Sequence, residues 1–160
     1  FWRRFVGACF CLAARAAPGV AALYNGQMPS TTTAVVRTPV YLAGVTGAPG
    51  DGGRSLPRAL VSVVETRDMA VVQDRKAAVA VIEGIMTVKP VAPGKEAVEI
   101  KWRVTRPSGE EVGVVTQANE IPAGSLKGAW GEVAGYVALA AADGIVDLVR
   151  RIPQTPSRRP

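Results

Sequence analysis

The chain has 160 residues, a formal net charge of +6 and 48% hydrophobic residues, which is typical of one globular domain of ordinary size. It contains no histidine, and this excludes serine–histidine and cysteine–histidine catalysis as well as histidine-ligated metals. No apolar run reaches the ~18 residues of a membrane-spanning helix, so we expect the mature chain not to cross a bilayer. Between Val35 and Ile152 there are 14 basic and 13 acidic residues, so the excess positive charge belongs to the chain ends. We therefore expect no nucleic-acid partner, because such proteins cluster Lys and Arg on the folded surface.

Residues 1–17 have the pattern of an export signal. Arg3 and Arg4 precede the apolar stretch Phe5–Ala14, and Ala14-Arg15-Ala16 fits a cleavage site for small residues. The first residue is not Met, so we expect the natural signal to be longer. An ordinary amphipathic first helix is the alternative interpretation of the same residues.

A lipid anchor at Cys9 is a second alternative for this segment. The residues Val6–Cys9 fit a loose lipoprotein box, in which Cys9 is lipidated after cleavage. Cys9 and Cys11 are the only cysteines, so cleavage after Ala16 would leave a domain without disulfides. If residues 1–17 are an export signal, we expect the mature chain to begin at Cys9 or at Ala17. Both alternatives predict a periplasmic protein, anchored to the outer membrane in the lipidated case.

The remainder divides into three parts by composition. Residues 18–38 form a linker that is rich in polar residues and carries three consecutive threonines. Residues 39–152 form a single α/β domain. Residues 153–160 contain three prolines in eight positions, and we expect a disordered tail there.

The first half of the domain predicts a strand, a helix and a second strand. Pro39–Thr46 is short and apolar, which favours a strand. The next segment has a helical stripe at i, i+3, i+4, i+7 and i+8, formed by Leu56, Ala59, Leu60, Val63 and Val64. Asp51 or Ser55 is expected to cap its first turn. A second strand region starts at Ala70, is broken at Gln73–Lys76 and continues to Val88 as a central strand.

The second half predicts a hairpin and a long helix. Apolar residues alternate with polar ones over residues 98–105, and residues 107–110 supply a turn to the antiparallel strand Val112–Asn119. A helical stripe then extends from Trp130 to Ile152, with Ser125 as the predicted N-cap.

These elements have the order β-α-β-β-β-α. The first β-α-β unit predicts parallel strands, and the rest predicts an antiparallel meander. We therefore expect an α+β fold, a two-layer sandwich with a mixed four-stranded sheet and two helices on one face. The charged row Glu99, Lys101 and Arg103 would lie on the uncovered face.

The loop before the first helix is a candidate anion site. Residues Asp51, Gly52, Gly53, Arg54 and Ser55 stand between a strand and a helix, as a phosphate-binding loop does. The phosphate motif needs a glycine and a lysine at positions that carry an alanine and Arg54 here. The alternatives are a structural turn that uses glycine for its backbone freedom, and unspecific anion binding at a helix N-terminus.

Glu83 is the one carboxylate inside an apolar strand. A buried acid with a raised pKa would be a candidate general acid. No second acid accompanies it at a fixed spacing, and the alternative is an ion pair with Lys101 or Arg103.

Gln117, Asn119, Ser125 and Trp130 form the most distinctive local cluster. Exposed amides beside an aromatic side chain are typical of a partner-binding rim. The alternative places Trp130 in the core as the first apolar residue of the last helix, with the amides capping a turn.

Three segments resemble a family of small bacterial envelope lipoproteins of unassigned function: Gly47–Leu56, Gln117–Leu126 and Gly128–Ala134. The resemblance extends over about Val40–Ile152 and implies a lipidated cysteine near the N-terminus. Lys127 departs from it, since an acidic residue is expected there. The order of elements is also similar to that of the TolB amino-terminal domain and of lipoprotein activators of penicillin-binding proteins, which bind other envelope proteins.

Two functional hypotheses follow. The first is a non-enzymatic periplasmic interaction or assembly module that binds envelope proteins and needs neither cofactor nor metal. The second is a small-ligand or anion-binding protein, or a weak enzyme, that uses the Gly47–Ser55 loop or Glu83. A ligand-binding protein needs a concave apolar cavity with convergent polar groups, and no spacing in the sequence gathers such groups.

Overall fold

The computed structural model describes residues 36–154 of the chain. The predicted export signal, Cys9, most of the predicted linker and most of the predicted tail lie outside the described residues. Within the described range the chain forms five strands and two helices: β1 (Thr38–Thr46), α1 (Gly52–Glu65), β2 (Met69–Val71), β3 (Ala80–Ala92), β4 (Lys95–Thr105), β5 (Glu111–Pro122) and α2 (Glu132–Arg150).

The strands form one mixed sheet in the order β2-β1-β3-β4-β5. β1 runs parallel to both of its neighbours, and Val40 is the register partner of Val71 on one side and of Ala80 on the other. β3, β4 and β5 form an antiparallel meander. The predicted parallel pairing across α1 and the predicted antiparallel hairpin are confirmed.

The prediction of four strands is wrong, because the region from Ala70 to Val88 is two strands. β2 ends at Val71, and a single 3-10 turn at Arg75–Ala77 separates it from β3. The two strands flank β1, since the N–H of Val72 donates to Val40 and the N–H of Val79 donates to Pro39. The polar residues at 73–76 form the crossing from one side of β1 to the other.

One side of the long strands builds the core. In β4 the residues Val98, Ile100, Trp102 and Val104 are buried, whereas Glu99, Lys101 and Arg103 keep solvent contact. The buried row belongs to the same cluster as the apolar residues of both helices, among them Leu56, Leu60 and Val64 of α1 and Ala138, Ala141 and Ile145 of α2. Each large aliphatic side chain in such a core contributes about 1.5–3 kcal/mol through burial.

Both predicted helix caps differ from the structure. Asp51 occupies the N-cap position of α1, but its side chain makes no capping hydrogen bond and contacts another loop instead. Ser55 lies in the first turn, where its hydroxyl donates to the Asp51 carbonyl. The N-cap prediction for Ser125 is wrong, since α2 begins only at Glu132 after Gly131. Ser125 instead belongs to a turn, in which its N–H donates to the carbonyl of Pro122.

Candidate functional site

Two loops that are far apart in the sequence are joined by Asp51 and Trp130. The N–H of Trp130 donates to Asp51 Oδ1 over 2.8 Å, and the indole Nε1 donates to the carbonyl of Pro49 over 2.9 Å. The N–H of Asp51 in turn donates to the carbonyl of Gly128. We name this set of contacts the Asp51–Trp130 junction. It holds the segment just before α2 against the loop just before α1.

The glycines of the first loop are required by this junction. A side chain on Gly50 would clash with the carbonyl oxygen of Gly128, and Gly50 has a φ of +60°, which favours glycine. A Cβ on Gly52 would lie 2.6 Å from the Trp130 indole. Trp130 itself is only 3% exposed and belongs to the core cluster. The core interpretation of Trp130 therefore agrees with the structure.

The junction also favours the ionised form of Asp51. The hydrogen bond from the Trp130 N–H holds the pKa of Asp51 below its usual value of 3.8, with a smaller contribution from the Ser55 hydroxyl. Asp51 is therefore a carboxylate at neutral pH. The N–H groups of Asp51, Gly52, Arg54 and Ser55 donate to carbonyls of the protein. An anion at this loop would meet the Asp51 carboxylate as well as the exposed Arg54, and these four N–H groups are already engaged.

A groove lies between α2 and the ends of β4 and β5, next to the junction. We name it the α2 groove, and its volume is about 210 Å³. It is mostly apolar and is lined by Val98, Ile100, Gln117, Asn119, Ile121, Leu126, Trp130, Val133, Tyr136, Val137 and Ala140. Small-molecule sites usually have volumes of about 300–1,000 Å³. The α2 groove fits one or two side chains of a partner better than a typical ligand.

Three of the four predicted rim residues meet in the α2 groove. Gln117 is part of its floor, where Oε1 accepts from the indole Nε1 of Trp102 over 3.0 Å and Nε2 donates to the carbonyl of Val137 over 3.2 Å. Asn119 is exposed at the groove, and Trp130 closes one end. Ser125 is exposed in the turn outside the lining.

Sequence analysis missed the side chains of α2 that complete the groove. Tyr136 is 68% exposed and Val133 is 44% exposed, although both are large and apolar. In the sequence these residues could not be told apart from core residues, because the apolar residues of α2 extend around most of its surface. Only the position of β5 beneath one flank of the helix distinguishes these residues from the core.

The other face of the sheet carries paired charges. Glu83 Oε2 accepts from the guanidinium of Arg103 over 2.5 Å, so the ion-pair interpretation of Glu83 agrees with the structure. The hydrogen bond to Glu83 raises the pKa of Arg103. Lys101 Nζ lies 3.0 Å from Glu99 Oε1 in the next pair.

This face also holds a concavity with a volume of about 540 Å³. Its lining alternates in charge along the strands and includes Lys89, Glu99, Lys101 and Glu120. No set of His, Cys, Asp or Glu side chains within residues 36–154 has the arrangement of a metal site. In the same range, neither helix is both long enough and apolar enough to span a membrane.

Comparison with known proteins shows similarity only at the level of solved structures. No protein-family model matches the sequence, and no curated protein matches it significantly. The PelC dodecamer from Paraburkholderia phytofirmans has 14% sequence identity and a TM-score of 0.45, covering 75% of this chain and 91% of its own. A variant of the same dodecamer has 15% identity and a TM-score of 0.44, covering 72% and 90%. A minor lipoprotein from Acinetobacter baumannii has 12% identity and a TM-score of 0.42, covering 75% and 99%.

Proposed function

We propose that this protein is a non-catalytic interaction module of the bacterial envelope that binds another envelope protein through the α2 groove. The observation that carries the proposal is the groove itself, an apolar concavity with exposed Tyr136 and Val133 at its rim. Aromatic and aliphatic side chains around a small pocket are typical of the centre of a protein interface. The proposed architecture is a two-layer sandwich in which the helices cover one face of the sheet.

The polar groups near the groove support binding rather than chemistry. Gln117 is held at both ends of its amide by Trp102 and Val137, and Asp51 is engaged by the Trp130 N–H. On the opposite face Glu83 is paired with Arg103. A catalytic acid or nucleophile needs a partner base and a free approach for the substrate. These side chains instead keep the loops and the edge strand in position.

The envelope location rests on the sequence of residues 1–17, which has the pattern of an export signal. The resemblance of Gly47–Leu56, Gln117–Leu126 and Gly128–Ala134 to small envelope lipoproteins supports the same location. In the lipidated alternative Cys9 anchors the protein to the outer membrane, and in the cleaved alternative the chain is free in the periplasm.

Photo-crosslinking in living bacteria tests this proposal. A photoreactive residue replaces Tyr136 at the groove. In a matched control it replaces Leu139, which is 52% exposed, does not line the groove and lies one turn before Asp143 on the side of α2 that meets Arg67. We expect a crosslinked product of defined mass from the envelope fraction with Tyr136 replaced, and none with Leu139 replaced. The same sample gives the mature N-terminal peptide, which distinguishes Cys9 from Ala17. Equal products from both positions, or a small molecule retained in the groove by native mass spectrometry, would overturn the proposal.

A further inference from the structure

The outer edge of β5 is open. β5 has 12 residues and pairs with β4 along its length, and no other described strand lies on its far side. An edge strand exposes a row of unpaired N–H and C=O groups, to which another extended segment can add.

The sequence of β5 lacks the features that usually protect such an edge. The eight residues Val112–Asn119 contain no charged residue and no proline. Natural edge strands are commonly short or carry lysine, proline or bulges that prevent further pairing. The only register shift in the β4–β5 ladder is at its far end, between Val104 and Thr105 of β4.

One flank of α2 lies beside this edge. A Cβ on Gly144 would be 3.0 Å from the Val115 side chain, and a Cβ on Gly113 would be 2.7 Å from the Leu148 side chain. The opposite flank meets the turn that follows α1, where Arg67 Nε lies 2.7 Å from Asp143 Oδ1. The flank beside β5 therefore consists of residues at i, i+4, i+7 and i+11, which are Val133, Val137, Ala140 and Gly144.

This flank has no covering element among residues 36–154, although three of its members line the α2 groove. A strand added beyond β5 would lie about 4.8 Å from it, with every second side chain directed towards the helix-covered face. Those side chains would then meet Val133, Val137 and Ala140. The edge and the flank together form a site for one extended segment with alternating apolar residues.

The charge of β5 indicates what charge a segment that pairs with it should carry. Glu111 and Glu120 are exposed near the two ends of the strand, and β5 contains no Lys or Arg. Two of the three basic side chains of β4 are already engaged, Lys101 by Glu99 and Arg103 by Glu83. A second copy of β5 would bring the same two acids to an acidic edge, and like charges in neighbouring strands destabilise the pairing. A segment with basic ends complements the edge.

We propose that an extended segment of a partner protein, apolar at alternate positions and basic at its ends, adds to the sheet along β5 and packs its apolar side chains against α2. This inference rests on the proposed function and names the chemistry of the partner at the same groove. Main-chain hydrogen bonds to β5 supply the pairing, and the flank of α2 selects side chains at alternate positions.

A synthetic peptide tests the mode of binding directly. The probe is an acetylated and amidated nonapeptide of sequence KVTVTVTVK with a fluorescent label, titrated with the full chain and followed by anisotropy. Its two lysines lie on the face opposite the valines. Two further probes carry N-methyl groups, one on the valine amides and one on the threonine amides, because N–H groups of alternate residues point to opposite edges of a strand. We expect saturable binding of the parent probe and of one methylated probe only. No binding of the parent, or equal behaviour of the two methylated probes, would overturn the inference.

Two variants of α2 locate the site. Ala140→Glu places a charge on the flank beside β5, and Leu139→Glu places the same charge on the other flank. We expect Ala140→Glu to weaken probe binding at least about tenfold and Leu139→Glu to leave it unchanged, with the same circular dichroism for both. Equal effects of the two variants would contradict the proposed position of the added strand.

Sedimentation and crosslinking distinguish the remaining outcomes. A dimer that forms with rising concentration and is abolished by Ala140→Glu would show that a second copy occupies the edge, and would overturn the choice of partner. If the probe does not bind but the photoreactive residue at position 136 still yields a partner, the inference fails and the proposed function stands. If neither the probe nor the crosslink gives a product, both fail.

Discussion

The two edges of the sheet differ in how they meet solvent. β2 has three residues, and its Met69 is 1% exposed, so this edge is short and anchored in the core. β5 has 12 residues, and only its helix-facing side contributes to the core. Charged residues flank β2 at Asp68 and Asp74, whereas the centre of β5 is uncharged. The comparison shows that the fold protects one edge and leaves the other available for pairing.

The support beneath the two edges differs as well. Next to β2, the N–H of Thr38 donates to the carbonyl of Asp68 and that of Val72 to Val40, so the chain around this edge is bonded to β1. Next to β5, side chains make the stabilising contacts. Gln117 forms hydrogen bonds with Trp102 and Val137, and the hydrogen bond between Trp130 and Asp51 holds the loop that leads into α2. The chain beside the open edge is therefore held by side-chain hydrogen bonds, although no described element covers the edge.

Replacement of Trp130 is expected to have the largest effect on this comparison. Trp130→Ala removes a core side chain and its indole hydrogen bond to the Pro49 carbonyl, whereas the backbone N–H that donates to Asp51 remains. The change should lower the free energy of unfolding by about 3–5 kcal/mol. Met69→Ala at the other edge should cost about 2–5 kcal/mol. Urea unfolding followed by circular dichroism measures both.

Probe binding then tests whether the β2 edge and the β5 edge act independently. At a temperature where both variants are folded, Met69→Ala should bind the KVTVTVTVK probe as the parent does, whereas Trp130→Ala should bind it less tightly. Loss of binding in Met69→Ala would show that the edges are not independent.

Replacement of Gln117 has the next largest effect. Gln117→Leu leaves the Trp102 indole N–H and the Val137 carbonyl without their partners, and this should cost about 1–3 kcal/mol. Asn119→Ala is the matched control, because Asn119 is exposed two residues further along the same face. We expect its effect to lie within about 0.5 kcal/mol. Equal losses of unfolding free energy would show that the Trp102–Gln117 bond does not stabilise the edge.

The sequence predicted most of the elements but not their arrangement at the edges. Alternation in residues 98–105 and the turn at residues 107–110 predicted the β4–β5 hairpin correctly, because one face of that hairpin is buried and the other is wet. The break at Gln73–Lys76 was predicted, but its two sides were assigned to one strand region. Only tertiary pairing places β2 and β3 on opposite sides of β1.

The candidate site was predicted in part for the same reason. Gln117, Asn119 and Trp130 stood out locally, and the structure brings them to one groove. The bond between Trp130 and Asp51 joins positions 79 residues apart, and no local pattern reports such a contact. The same bond displaces Ser125 from the expected cap, because it fixes the chain just before Glu132 where α2 begins.

A lysine on the open edge should change pairing without changing stability. Ala118 and Thr87 are the register partners of Glu99 on either side, so Ala118→Lys and Thr87→Lys place the same charge next to the same acid. Ala118 is in the edge strand and Thr87 in a central strand. We expect both to stay within about 0.5 kcal/mol of the parent.

Only Ala118→Lys should weaken binding of the basic probe and slow aggregation on heating, because a lysine in an edge strand opposes further pairing. Light scattering during a temperature ramp and anisotropy with the probe measure the two effects. The same change in Thr87→Lys would assign them to net charge instead of to the edge.

The smallest effect concerns the pH dependence of the junction that supports the open edge. Because the Trp130 N–H lowers the pKa of Asp51 in the folded protein, the stabilisation from Asp51 is complete above the usual aspartate pKa of 3.8, which applies to the unfolded chain. It is lost as the pH falls through the lower folded pKa. Asp51→Asn keeps an acceptor oxygen for Trp130 but removes the ionisation, so the variant lacks this pH-dependent contribution.

We therefore expect the difference in Tm between the parent and Asp51→Asn to be greatest near neutral pH and to shrink below about pH 4. Asp74→Asn is the matched control beside the β2 edge, where Asp74 Oδ1 accepts from the N–H of Lys76 within its own turn. A difference for Asp51→Asn that is constant with pH would mean that the Trp130 bond does not depend on the charge of the carboxylate. In that case the indole and glycine contacts alone would hold the Asp51–Trp130 junction together beside the β5 edge.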